Sequence, residues 1–85
     1  MTSAEMLALL RTEHLTVTWP GGPVPQHGGW YLILTPSAYH PQGWTLRMTH
    51  PHRLLLAHVE RVLVRLGMEC QVDQAGLIEF WPAVR

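Results

Sequence analysis

MECQVDQAGLIEFW, residues 68–81, is two alternating runs around a glycine turn, and its reading decides the fold. MECQVD (68–73) and LIEFW (77–81) are joined by a three-residue loop, Gln74-Ala75-Gly76, that puts glycine at the left-handed bulge position of a hairpin. That register sets Val72 opposite Ile78 and Cys70 opposite Phe80. Those four then share one face, and Glu69, Gln71, Asp73 and Glu79 share the other. Turn chemistry and side-chain period agree, so a β-hairpin with one apolar face closes the chain.

Working back from the hairpin, Gly67 is a natural residue for the position just past a helix end. The helix it stops covers residues 51–66, with Pro51 at the first helical position and His50 as its cap. Leu55, Val59, Val62, Leu63 and Leu66 define its buried stripe. Arg61 and Arg65 suit the negative pole of its dipole. WTLRMT (44–49) alternates, with Trp44, Leu46 and Met48 inward and Thr45, Arg47 and Thr49 outward. PSAYHPQG (36–43) is a loop. WYLILT (30–35) is apolar on both faces, as a central strand is. PGGPVPQHGG (20–29), with three prolines and four glycines, is a long loop. LTVTW (15–19) alternates with Leu15, Val17 and Trp19 on one face. Thr2-Ser3-Ala4-Glu5 fits a capping box, opening a short helix that ends near Thr12. The expected fold is one α+β domain, residues 1–85, in the order α-β-β-β-α-β-β. A mainly antiparallel sheet of about five strands carries helix 51–66 on one face. Whether the last hairpin joins that sheet is left open by local pattern. Val72, Ile78, Phe80, Val59, Leu63, Leu46 and Leu32 are the expected core.

Bulk composition narrows the functions. The 85 residues are 47% hydrophobic and 14% charged, which is a globular balance. Six acids match six bases, so the chain has no electrostatic footprint for nucleic acid or an anionic membrane. All the bases are arginine, which points to a GC-rich, bacterial-like genome. Cys70 is the one cysteine, and a single free thiol points to a reducing, cytoplasmic setting. No signal peptide is expected at MTSAEMLALLRTEH, where Glu5 and Glu13 flank the apolar run. No run reaches membrane-spanning length.

Six histidines stand out in so short a chain. His52 and His58 are six residues apart on the expected helix, so their directions differ by about 120° and their heights by about 9 Å. His50 and His52 flank Pro51 at the positive end of the dipole, which disfavours a bound cation. His50 and His52 with the loop residues His40 and His27 are the metal candidates, but no H-E-x-x-H and no cysteine pair accompanies them. The expectation is no metal and no cofactor. Catalysis fares no better. Ser3 and Ser37 lie in no nucleophile motif, and Cys70 is expected inward, as inert filling. No catalytic residue is assigned.

Two surfaces remain. Trp30, Tyr31, Trp44 and Arg47 lie on adjacent strands, the residue types that stack single-stranded nucleic acid, although Trp44 and Arg47 point to opposite faces. Leu54 and Val64 fall outside the helix's buried stripe, and Trp81 falls opposite the core-facing Ile78 and Phe80. Exposed large apolar groups on a small neutral protein suit a partner or a second copy.

GGWYLILTPSAYHPQGWTLRMTHPH, residues 28–52, carries Gly28-Gly29, then Pro36 to Tyr39, then His50-Pro51. This order resembles the strand meander of ubiquitin-conjugating domains and their inactive relatives, which show paired glycines, P-x-x-Y-P and His-Pro-Asn. The likeness covers under a third of the chain. His40 separates Tyr39 from Pro41, His52 stands where that family has Asn, and no cysteine follows His50-Pro51 before the helix. The thioester chemistry has no residue to sit on. The resemblance implies at most a catalytically inactive interaction fold. The sequence therefore reads as a non-enzymatic protein-interaction module, a homodimer or a subunit of a larger assembly. A small nucleic-acid-binding protein is the alternative, and a histidine- or metal-dependent enzyme comes third.

Overall fold

A computed structural model describes residues 1–26, 29–73 and 75–84. Helix α1 (Ser3–Thr12) and strands β1 (Val17–Thr18), β2 (Leu32–Pro36) and β3 (Trp44–Met48) precede helix α2 (Arg53–Arg65). Strands β4 (Met68–Val72) and β5 (Leu77–Pro82) follow it. The strands form one sheet in the order β1-β2-β3-β5-β4. The fold is thus α+β and mostly antiparallel, and the last hairpin is part of the sheet, β5 lying between β3 and β4. Val72 pairs with Ile78 and Cys70 with Phe80, the register that the turn chemistry dictates. Gly76 holds a φ of +93°, and Asp73 anchors the turn by accepting from Ala75 N and Leu77 N through its carboxylate. Gln74 lies outside the described residues.

β1 departs from expectation. It is two residues long and pairs in parallel with β2, Val17 opposite Leu32. Leu15 and Val17 are buried, but Trp19 is 47% exposed and Thr18 is buried instead. The cause is a tight turn at Trp19-Pro20-Gly21-Gly22, closed by Gly22 N on Trp19 O at 2.8 Å with Gly21 at a φ of +78°. Proline then a left-handed glycine is the type II arrangement, and it swings Trp19 out of the strand.

The cap of α2 is also displaced. His52, not His50, is the N-cap: its backbone is extended and its Nδ1 accepts from Leu54 N at 3.2 Å. Pro51 lies outside the helix, its ring so close to Gly76 that a Cβ there would sit 2.8 Å from Pro51 Cγ. Gly67 ends the helix at a φ of +84°, as its position implies. Leu56, Val59, Val62 and Leu63 are the buried residues of α2, while Leu55 and Leu66 are half-buried. Leu55 and Leu56 lie four and three residues before Val59, so both share its side, and the roll of the helix turns Leu56 to the sheet.

The core has helix residues from both α1 (Met6, Leu10) and α2, together with Leu32, Leu34, Trp44, Leu46, Met48, Ile78 and Phe80 from the sheet. Both helices therefore cover the same face. Of the expected core, all are fully enclosed except Val72, which is half-buried because β4 is an edge strand. Among the described residues, the opposite face of the sheet carries no helix. Among the described residues no helix is long and apolar enough to cross a membrane.

Candidate interaction surface

Each candidate among the described residues has a definite place. His50 is exposed in the turn before α2, and His52 uses Nδ1 for the cap. His40 stacks on Trp81, ring centroids 4.0 Å apart and planes 17° from parallel. His27 lies outside the described residues. Among the described residues, no three His, Cys, Asp or Glu side chains gather as a metal site would require.

The nucleic-acid set is split by the sheet. Trp44 is buried in the core against Phe80, centroids 5.9 Å apart, and Trp30 packs on the same core. Arg47 is exposed on the uncovered face, opposite Ile33 and Leu77. Tyr31 is half-buried and is tied by its backbone to Thr49. The four residues do not form one stacking platform.

The uncovered sheet face is partly organised by a polar network that local patterns did not reveal. Glu79 accepts from Ser37 Oγ at 2.7 Å and from Thr45 Oγ1 at 2.9 Å. Ser37 Oγ in turn accepts from Tyr39 N and His40 N. This pins the 36–43 loop at one end of the sheet and brings His40 onto Trp81, whose Nε1 donates to Glu69 at 2.9 Å. Ser37 gives its proton to a carboxylate, and only the backbone N–H of His40 reaches it, so the pair lacks the base–nucleophile bond of a hydrolase. The only trace in the sequence is a serine two and three residues before the amides it caps, a local turn pattern. The contact of that serine with Glu79 spans 42 positions.

Cys70 is half-buried. Burial, and then the Glu60 carboxylate, push its thiol above the ordinary value, the reverse of what a reactive nucleophile needs. The two clefts beside α1 hold no reactive cluster among the described residues. One of about 450 Å³ between the start of α1 and Pro41–Trp44 is lined by no titratable side chain. Another, of about 350 Å³, is walled by Leu7, Trp19 and Leu34 with Ser3 and Ala4. Arg11 lies 5.8 Å from the ring of Trp19.

The outer side of α2 is the remaining candidate. Leu54 is 72% exposed and Val64 59% exposed. Ala57 and Arg61 lie between them, giving the spacing 54, 57, 61, 64 of a single helical stripe directed away from the core. Trp81, the third residue singled out for association, is instead half-buried under His40 and bonded to Glu69. Comparison with protein-family models, curated proteins and solved structures gives no significant match.

Proposed function

We propose that the chain is a non-enzymatic protein-interaction module, working as a homodimer or as a subunit of a larger assembly, and that the outer side of α2 is its docking surface. One observation carries this reading: Leu54 and Val64 stand in water on one outward stripe of a helix whose other large apolar side chains are buried or half-buried. Enclosing a Leu or Val side chain gains roughly 1.5–3 kcal/mol, a large sum for a chain of this size to leave unused. The sixfold balance of acids and bases suits a protein partner better than a polyanion. The single thiol supports a reducing, cytoplasmic setting. Sedimentation at micromolar concentration tests the reading, with Leu54→Glu and Val64→Glu as probes. Both positions are exposed, so the variants should keep the wild-type circular dichroism while losing association. A monomeric wild type whose retained proteins are the same as those of both variants would remove the reading's support.

A further inference from the structure

The two edges of the sheet are finished differently. At the β1 edge, the outward carbonyl of Val17 accepts from Arg11 Nε at 3.0 Å and from a second Arg11 guanidinium nitrogen at 2.8 Å. That strand is two residues long and is followed within two positions by Pro20. It offers no template to another strand. At the β4 edge the five residues Met68–Val72 pair with β5 in unbroken register, without a bulge, a proline or a basic residue. Ala83 N bonds to Gly67 O and Asp73 N to Leu77 O at the two ends of this ladder. Antiparallel pairing alternates, so residues 67, 69, 71 and 73 turn their backbone groups to β5, and Met68, Cys70 and Val72 turn theirs outward.

We infer that β4 pairs antiparallel with β4 of a second copy of this chain, about a two-fold axis at Cys70, to make a continuous ten-stranded sheet. The inference rests on the interaction reading above and names its partner and its register. The strand is self-complementary about that residue. On the helix side, Cys70 meets its own copy and Met68 meets Val72. On the uncovered side, Glu69 meets Gln71, a carboxylate against an amide. Moving the axis one residue back sets Glu69 against Glu69, and one residue forward sets Glu69 against Asp73. Both oppose like charges across the strands, which is unfavourable. The axis at Cys70 is therefore the register of greatest overlap with no such clash.

The neighbouring helix fits the same arrangement. Glu60 lies on the β4 side of α2, where its charge is felt by Cys70, and Arg65 lies on the α1 side, bonded to Glu13 at 2.8 Å. Val64 is one turn beyond Glu60 and so stands on the flank above the open edge. Pairing the edges brings two α2 helices side by side and covers Val64, which joins the strand edge to the surface proposed above.

Charge variants at position 71 test the register, because Gln71 is exposed and lies on the face without helices. Gln71→Glu sets a like charge against Glu69 of the copy and should weaken dimerisation roughly tenfold, since the axis repeats the pair. Gln71→Lys sets opposite charges there and should tighten it by a similar factor. Cys70 gives an independent readout. Hydrogen-bonded partners across an antiparallel pair have Cα atoms about 5.5 Å apart, within disulfide reach. Oxidation by dioxygen with a copper–phenanthroline catalyst removes two protons and two electrons from the paired thiols, and should yield a covalent dimer. A wild type that dimerises, responds to Val64→Glu, ignores both Gln71 variants and gives no Cys70 crosslink overturns the edge pairing and leaves the interaction reading intact. A wild type that stays monomeric at high micromolar concentration overturns the pairing itself.

Discussion

His14 shows how much one residue can conceal. It sits just past α1 at a φ of +64°, the only non-glycine residue of positive φ among those described. Its N–H bonds to Arg11 O, and Leu15 N bonds to Leu10 O, so the helix ends in the six-residue closure that glycine usually completes. A left-handed residue bearing a Cβ costs roughly 1–2 kcal/mol, and the extra freedom of an unfolded glycine returns about 0.4–1 of that. His14→Gly should therefore raise stability by on the order of 0.5 kcal/mol, read as a higher denaturant midpoint with an unchanged slope. Nothing in the pattern of the sequence marks His14 as a cap, because the closure is usually read from glycine. Phe80 was legible, by contrast, since alternation and hairpin register both select it. It is fully enclosed and lies against Trp44. Phe80→Ala should cost on the order of 3–5 kcal/mol, most of the stability of a small domain. A cooperative melt within a few degrees of wild type would show that the residue is not in the core.

At the scale of the element, the two helices start in different ways, and only one start was legible. Thr2 and Glu5 form the reciprocal bonds of a capping box, Thr2 N to the Glu5 carboxylate at 2.9 Å and Glu5 N to Thr2 Oγ1 at 3.1 Å. Thr2 holds the Glu5 carboxyl below its ordinary value, first by its backbone N–H and then by its side chain. A lowered carboxyl stabilises the fold above its unfolded pKa, and that contribution is lost as the pH falls through the folded one. Glu5→Gln should consequently melt below wild type at neutral pH, and the gap should close in acid. A gap that does not change with pH would mean that the charge plays no part in the cap. Both members of this box lie within one turn, so composition and spacing reveal it. The start of α2 depends on Pro51 being held against Gly76, 25 positions away, and local pattern therefore put the cap two residues early. The hairpin was legible for the same reason as the box, since its register is set by its own loop. The strand at β1 was legible, but its short extent and parallel pairing were not, because its partner is reached across a long glycine- and proline-rich loop.

At the scale of the whole molecule, alternation assigned most strand residues to a face but could not order the strands. The order β1-β2-β3-β5-β4 arises from the pairing of β3 with β5 across α2, and that long-range choice makes β4 an edge. The candidate site divides along the same line. Leu54 and Val64 were identifiable from helical period alone. Trp81 lies on the face away from Ile78 and Phe80, as alternation implies, but its half-burial was not legible, because His40 reaches it from a loop held by Glu79. An open strand edge beside an exposed valine has a thermodynamic consequence for the molecule as a unit. If the folded chains pair and the unfolded ones do not, stability rises with concentration by mass action. A tenfold increase is then worth roughly 0.7 kcal/mol per chain, half of the tenfold increment for the pair, which in a domain of this size moves the melting temperature by about 3–6 °C. Wild type should accordingly melt higher at 100 than at 10 micromolar. Val64→Glu should flatten that dependence. A form linked through Cys70 should show none, because its partner is always present. A wild-type melting temperature that is constant across this range, in chains that sediment as monomers, would place the fold's whole stability within one copy and leave the β4 edge without a partner of its own kind.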